Sequence, residues 1–348
     1  MNILLTGGTG YIGSHAAVTL VQAGHEIVLL DNLSNSQRQV VDRIAQILGR
    51  PIPFIEGDIR DVSLMEQTLR QHHIDAVMHF AGLKAVGESV KLPLAYYANN
   101  VQGTISLLQA MQACGVTTIV FSSSATVYGD PTYLPIDEQH PTSATNPYGR
   151  TKLHIEEMLA DLAASCSDWK IARLRYFNPV GAHPSGLIGE DPNGIPNNLM
   201  PIVSRVAAGI LPVLSVYGND YPTPDGTGVR DYIHVMDLVE GHLSALKFLE
   251  NQNLGGCHTF NLGTGQGYSV LEMLRAFEGI SGQKVPYQIV ARRPGDVASC
   301  FAKVDRAAQV LGWRARRGLA EMCQSNWHFQ QNGQATDQAH PAEMNQRQ

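Results

Sequence analysis

One feature restricts the fold more than any other. A short apolar run, Asn2–Thr6, breaks at a cluster of glycines and resumes at once as the helical stretch "YIGSHAAVTL". Gly7, Gly10 and Gly13 follow the spacing G-x-x-G-x-x-G, which suits a strand entering a helix through a tight turn. Gly7 permits the reversal, Gly10 lets backbone approach a pyrophosphate, and Gly13 allows helix and strand to pack closely. The helix start offers unpaired N–H groups and partial positive charge to phosphates.

The same alternation continues to about residue 178. Strands are expected at Asn2–Thr6, Glu26–Asp31, Ile52–Glu56, Ala76–Phe80, Thr118–Ser122 and Lys170–Arg175, with helices at Ile12–Ala23, Leu92–Ala113 and Tyr148–Ala164. Near-continuous hydrophobic runs such as "EIVLLD" mark strands buried on both faces, so the fold class is α/β, a Rossmann-type doubly wound parallel sheet. After Asn178 come long Gly/Pro/Asn-rich stretches, which in a compact protein usually cover a ligand. Among them lie helical pieces at Leu199–Ala208, Val235–Glu250 and Val270–Glu278 and a strand-like "HTFNLGTG". The expected division is a dinucleotide-binding domain over 1–178, rejoined by about 233–264, and a smaller α/β substrate-binding lobe over most of 179–330. The polar tail 331–348 is expected to be disordered.

Asp31 ends the second strand 18 residues past Gly13, where a carboxylate can accept both ribose hydroxyls of an adenosine. It would repel a 2′-phosphate, so NAD is favoured over NADP. Asp58 follows the third strand and is placed to meet the adenine edge.

In "NPYGRTK", Asn146 fits a helix N-cap and Pro147 the first helical position. Tyr148 and Lys152 then share one face a turn apart. At ~5 Å and an effective dielectric of ~20, the ammonium is worth about 3 kcal/mol to a phenolate, or roughly two units off a phenol pKa of ~10. The pair is expected to act as a proton carrier near neutral pH, with Ser124, at the carboxyl edge of the fifth strand, bonded to the same substrate oxygen.

Composition narrows the classes. The formal charge of −6 offers nucleic acid no general attraction, and no apolar run approaches a membrane span. Five scattered cysteines form no C-x-x-C pair, and thirteen histidines show no metal-binding spacing, so neither a disulfide nor a metal is expected. The opening residues lack a basic n-region, which argues for a cytoplasmic protein.

Taken together, TGGTGYIGSH, DNLSNS, HFAGLKAVGES, NNVQGT, FSSSATVYG, YGRTK, RYFNPVGAHPSG, GEDPNGIPNNLMP and GTGVRDYIHVMDL resemble the UDP-glucose 4-epimerase family, within the extended short-chain dehydrogenase/reductases, over residues 1 to about 330. The resemblance implies reversible interconversion of UDP-glucose and UDP-galactose on tightly bound NAD. Tyr148 would take the 4-hydroxyl proton, Lys152 would hold the nicotinamide ribose, Ser124 would orient the hydroxyl, and the 4-keto sugar would turn over before the hydride returns. Cofactor contacts are implied at Tyr11, Ile12, Asp31, Asn32, Asn35, Ser36, Asp58, Ile59, Phe80, Ala81, Gly82, Lys84, Asn99 and Phe177, beside the glycines and the catalytic trio. Sugar-nucleotide contacts are implied at Asn178, Asn198, Leu199, Tyr217, Arg230, Arg293 and Asp296. Cys300 departs from members with a tyrosine near the hexose after R-x-G-D, and a smaller side chain there is associated with acceptance of UDP-N-acetylglucosamine. A homodimer through the 92–113 and 148–164 helices is also implied.

Two other readings remain. A 4,6-dehydratase on this fold needs a carboxylic acid and a base directly after the strand-end hydroxyl, where this chain has Ala125 and Thr126. A catalytically inactive NAD-sensing protein would be expected to show damage to the Tyr–Lys pair, and both residues stand intact.

Overall fold

The computed structural model describes residues 1–339 apart from 195, 197 and 294, with side chains described to residue 333. Seven parallel strands form the central sheet: β1 (Asn2–Thr6), β2 (Glu26–Asp31), β3 (Phe54–Glu56), β4 (Ala76–His79), β5 (Thr118–Ser122), β6 (Lys170–Tyr176) and β7 (Gly256–Leu262). Their order is β7-β6-β5-β4-β1-β2-β3, so the chain turns back at β1 and β4. The carboxyl ends of adjacent strands diverge there, opening the crevice in which such sheets take ligands.

Alternation along the buried strands feeds two cores. Ile3, Leu5, Ile27, Leu29, Val120 and Leu174 pack with the helices Tyr11–Gln22 and Val235–Glu250 on one face. Leu4, Val28, Val77, Ile119, Phe121 and Ile171 pack with Val62–Gln71, Gly103–Cys114 and Pro147–Ser165 on the other. A third core, holding Met200, Val203, Val216, Tyr232, Met273, Phe277 and Met322, belongs to the segments that follow Asn178. "HTFNL" lies within the seventh strand of the main sheet.

One expectation is corrected. The single helix expected over 92–113 is three pieces: Pro93–Tyr96, a π-helical turn Tyr97–Gln102 and Gly103–Cys114. The wider turn goes with a tertiary contact. Asn100 grips the 83 backbone from both sides, accepting from Leu83 N at 2.8 Å and donating to Leu83 O at 3.0 Å, while Thr104 Oγ1 donates to the Asn100 carbonyl at 2.6 Å. Such bonds are paid for by widening the i→i−4 ladder. In the tail, the helix Leu319–Ala339 runs through 331–339, the first half of the segment expected to be disordered; residues 340–348 lie outside the described residues. Extending a helix already anchored at Met322 and Cys323 needs no new nucleus, so polar composition alone does not end it.

The glycine turn is tight. Gly7 has φ +69°, and a Cβ on Gly13 would lie 2.2 Å from the Gly7 carbonyl oxygen. Gly13→Ala is therefore expected to cost about 1–3 kcal/mol in urea unfolding. Gly279→Ala, on an open helix surface with no atom within 4 Å of the new Cβ, is expected to gain roughly 0.5–1 kcal/mol in the same measurement.

Candidate active site

The Pro147–Ser165 helix begins as its sequence demands. Asn146 accepts from Gly149 N at 2.9 Å, and Pro147 occupies the first helical position. Tyr148 and Lys152 consequently rise from its first two turns to the carboxyl edge of β5, and both are buried. Ser124 caps the short 3₁₀ turn Ala125–Tyr128, receiving Thr126 N at 3.2 Å and Thr126 Oγ1 at 3.0 Å, and its hydroxyl faces the Tyr148 phenol.

The electrostatics differ from the expectation that Lys152 depresses the Tyr148 pKa. Burial pushes the phenol above its ordinary value, and the Ser124 hydroxyl pulls it back only in part. The ammonium is engaged elsewhere: Lys152 Nζ donates to the Ser122 carbonyl at 2.8 Å and sits 4.8 Å from the centre of the Phe121 ring. Burial pushes Lys152 itself down to about 8, against the pull of Glu156. Desolvation thus outweighs the attraction between neighbours on the helix.

The glycine turn and the tyrosine–lysine pair meet along one edge. A Cβ on Gly7 would lie 2.7 Å from Ala81 N, and one on Gly82 would lie 3.7 Å from Lys152 Nζ. Asp31, at the end of β2, accepts from Leu33 N, Ser36 Oγ and Thr9 N, which shapes the 32–36 loop. Asp58 is gripped by Arg60 and by Asn32, which hold its carboxyl well below the usual range. Ile59 is buried, Asn35 is exposed, Phe80 stacks near His242, and Asn99 donates to Asn100 Oδ1. The Tyr11 hydroxyl donates to the Gly181 carbonyl at 2.7 Å, beside Ile12 on the same helix start.

The helix Tyr11–Gln22 starts at Gly10 with no side-chain cap, leaving its N–H groups to an anion, and the glycines keep backbone bare around it. Together with the Asp31 carboxylate this donor and acceptor set fits a dinucleotide.

The sugar-nucleotide candidates form a second group. Arg293 lies over the Tyr217 ring at 4.3 Å and pairs with Asp296 at 3.3 Å, while Arg230 approaches Asp296 at 3.8 Å. Cys300 pairs in register with Arg230, and its side chain packs against a cluster containing Ala125, Val127 and Phe177, so it joins this group to the Ser124 turn. Burial pushes its thiol up to about 11. Asn178 opens the strand Asn178–Val180, and Asn198 precedes the helix that Leu199 begins. Asn198 and Lys84 donate to the same oxygen of Glu190, at 2.6 and 2.7 Å, which links the two groups.

Sequence reasoning passed over Glu190, Asn100, His79, Glu156 and Arg175. Glu156 alone carried a local signal, being spaced i+4 from Lys152. The others depend on contacts between distant segments, such as the 106 residues separating Lys84 from Glu190.

A dinucleotide turn and a buried Ser/Tyr/Lys group on a doubly wound sheet define an extended short-chain dehydrogenase/reductase. Residues 4–326 match the family model described as GDP-mannose 4,6 dehydratase. Within that class the chain belongs to the UDP-glucose 4-epimerase family. It is 58% identical to the UDP-glucose 4-epimerase of Bacillus subtilis, with 95% of this chain and 97% of the relative covered, and 54% identical to that of Homo sapiens, with 94% and 96% covered. Among solved structures it is similar to the UDP-glucose 4-epimerase of Stenotrophomonas maltophila with bound NAD and formylated UDP-arabinopyranose (TM-score 0.94, 55% identity, 97% and 99% covered). It is likewise similar to that of Bifidobacterium longum in complex with NAD+ and UDP (TM-score 0.93, 49% identity, 96% and 99% covered).

Keeping Lys152 charged while buried is costly. Its folded-state value of about 8 lies below the ordinary lysine value, so between these pH values the unfolded chain binds more protons and stability rises with pH. Lys152→Met should therefore be the more stable protein at pH 7, by on the order of 2 kcal/mol after losing the Ser122 bond. Chemical denaturation should show that advantage fading as pH is raised from 8 towards 10.5.

Proposed function

We propose that this chain interconverts UDP-glucose and UDP-galactose by transient oxidation at C4 of the hexose, with Tyr148 as the proton carrier. The observation that carries the reading is the juxtaposition of Ser124, Tyr148 and Lys152 with the glycine turn at one sheet edge. The enzyme is NAD-dependent, and the bound cofactor supplies the acceptor for the C4 hydride. Gly7, Gly10, Gly13 and the adjoining helix start would hold its phosphates, Asp31 its adenosine ribose and Asp58 the adenine side. Lys84, Phe80, Ala81, Gly82 and Asn99 would line the way to Lys152.

In this reading Ser124 and Tyr148 share the sugar 4-hydroxyl, and Tyr148 takes its proton. Since burial alone raises the phenol, positive charge must accumulate beside it before it can serve as a base. Lys152, fixed on the Ser122 carbonyl, would hold the cofactor that supplies that charge. Arg230, Arg293 and Asp296 would hold the diphosphate and uridine ribose, so the hexose alone is free to turn and present its other face. The proton and hydride then return, leaving no net redox change.

A dehydratase would need a carboxyl pair beside Ser124. Ala125 lies instead in an apolar cluster, and the buried carboxylate bonded to the adjoining Ser123, Glu156, is committed to Arg175. The sheet with 1–178 and 233–264 serves as the cofactor domain, and most of 179–330 as the sugar-nucleotide lobe. Exposed Val90, Leu92, Leu94 and Ile105 near the 92–113 segment support a homodimer there, and a solution mass of one chain would refute it. No described helix is long and apolar enough to cross a membrane, and the five free cysteines suit a cytoplasmic setting.

Purified protein without added NAD is expected to epimerise UDP-galactose, and Tyr148→Phe to lose about 10²–10⁴-fold in kcat with little change in KM. A requirement for added NAD in stoichiometric amounts would contradict cofactor retention. The small side chain at Cys300 leads us to expect turnover of UDP-N-acetylglucosamine as well, lost in Cys300→Tyr while UDP-glucose turnover persists. No turnover of the acetylated sugar by the wild type would end that extension.

A further inference from the structure

Residues 148, 152 and 156 lie on one face of the Pro147–Ser165 helix. Only the first two have a role in the chemistry above, yet the third is almost wholly enclosed, with 1% of its surface exposed. Glu156 Oε1 accepts from Ser123 Oγ at 2.5 Å and from Arg175 Nε at 2.9 Å, and Oε2 accepts from Arg175 Nη2 at 2.5 Å. Arg175 lies over the Tyr128 ring at 4.8 Å, and Arg173 Nη1 donates to the Glu156 carbonyl at 2.8 Å. One carboxylate therefore ties the helix to the end of β5 and to β6.

The point just past β5 that it grips matters. The Ser122 carbonyl receives Lys152, Ser123 is bound by Glu156, and Ser124 faces Tyr148. Both neighbours of the residue that Glu156 holds thus touch the proton machinery. A buried ion pair is poor value as stability alone, since apolar packing serves as well or better, so its presence at this point suggests geometry and field.

We propose that Glu156, paired with Arg175, is a positioning residue for the reaction: it locks the Ser122–Ser124 turn and keeps a negative charge one helical turn from the Lys152 ammonium. The inference rests on the proposed roles of Tyr148, Ser124 and Lys152. Facing Lys152 are Glu156 on its own helix and His79 from β4, which burial holds down at about 3 and therefore neutral; Ser122, which holds the ammonium, is faced by His242, which burial holds down at about 4, and by Tyr176 from β6, which burial raises. Facing Glu156 are Arg175 and Arg173 from β6, Tyr128 from the 3₁₀ turn and Cys257 from β7. The pair Glu88–Tyr96, from the helices Val86–Lys91 and Pro93–Tyr96, approaches only the Tyr148 end. Glu156 is thus the carboxylate acting on Lys152.

The test measures kcat and KM of the holoenzyme with UDP-galactose from pH 6 to 10. Glu156→Gln is expected to lower kcat at pH 7.5 by about tenfold to a hundredfold with KM nearly unchanged. Its alkaline limb should move down by roughly one to two pH units, as Lys152 loses its partner charge, and Glu156→Asp should restore much of both. A loss uniform across pH, or an unshifted limb in a folded variant, would overturn the proposal. Should Glu156→Gln not fold, Ser123→Ala decides instead: kcat is expected to fall several-fold with the alkaline limb in place, and unchanged kcat would count against it. Wild-type turnover and its loss in Lys152→Met are read in parallel. An inactive wild type would defeat the functional reading itself, whatever Glu156 does.

Discussion

A lysine ammonium buried at the carboxyl edge of a parallel sheet is the constraint on which the rest of this site depends. Water would solvate that charge far better than protein does, so every group around Lys152 answers the deficit. The Ser122 carbonyl accepts a hydrogen bond from it, the Phe121 face offers its quadrupole, and Glu156 supplies a full opposite charge one turn along the helix. Burial still prevails and draws the group down to about 8. The lysine remains charged near neutral pH, though with a narrow margin.

This arrangement changes how the phenol must work. A neighbouring cation one helical turn away had suggested a tyrosine already poised as a base, but Tyr148 is raised, because desolvation opposes the phenolate more strongly than anything on the helix favours it. A phenol raised by burial suits the proposed proton carrier of a cycle that begins only when ligands bring further positive charge and exclude water. Glu190 follows the same economy, since one of its oxygens holds both Lys84, a proposed cofactor contact, and Asn198, a proposed sugar-nucleotide contact.

The parts of the fold that were legible in the sequence were those written in local periodicity. The strands β1 and β2 announce themselves as continuous apolar runs, and Asn146-Pro147 fixes a helix start from which the placement of Tyr148 and Lys152 follows. What stayed hidden is tertiary. The π turn at Tyr97–Gln102 depends on Asn100 reaching Leu83, and Lys152 finds its partner in a backbone carbonyl 30 residues away, which no spacing rule contains. The 3.6-residue period did place Glu156 beside Lys152, but its meaning required Arg175 and Ser123. The continuation of Leu319–Ala339 past 331 likewise has no signal in composition, since an anchored helix extends without a new nucleus.

Chemistry on this scaffold is decided by which acids stand next to the substrate. Elimination from an oxidised sugar needs a carboxyl group free to donate or accept a proton, whereas simple return of a hydride needs none beyond the group that took the first proton. Here the strand-end serine is followed by an alanine folded into apolar packing, and the buried glutamate bonded to its neighbour Ser123 is engaged by that hydroxyl and a forked guanidinium. A carboxylate whose oxygens are taken up by Ser123 and Arg175 is not presented to a substrate beside Ser124. The same ion pair that steadies the proposed proton carrier therefore keeps its own proton chemistry silent, and an oxidised sugar held here is left with the reverse of the step that made it.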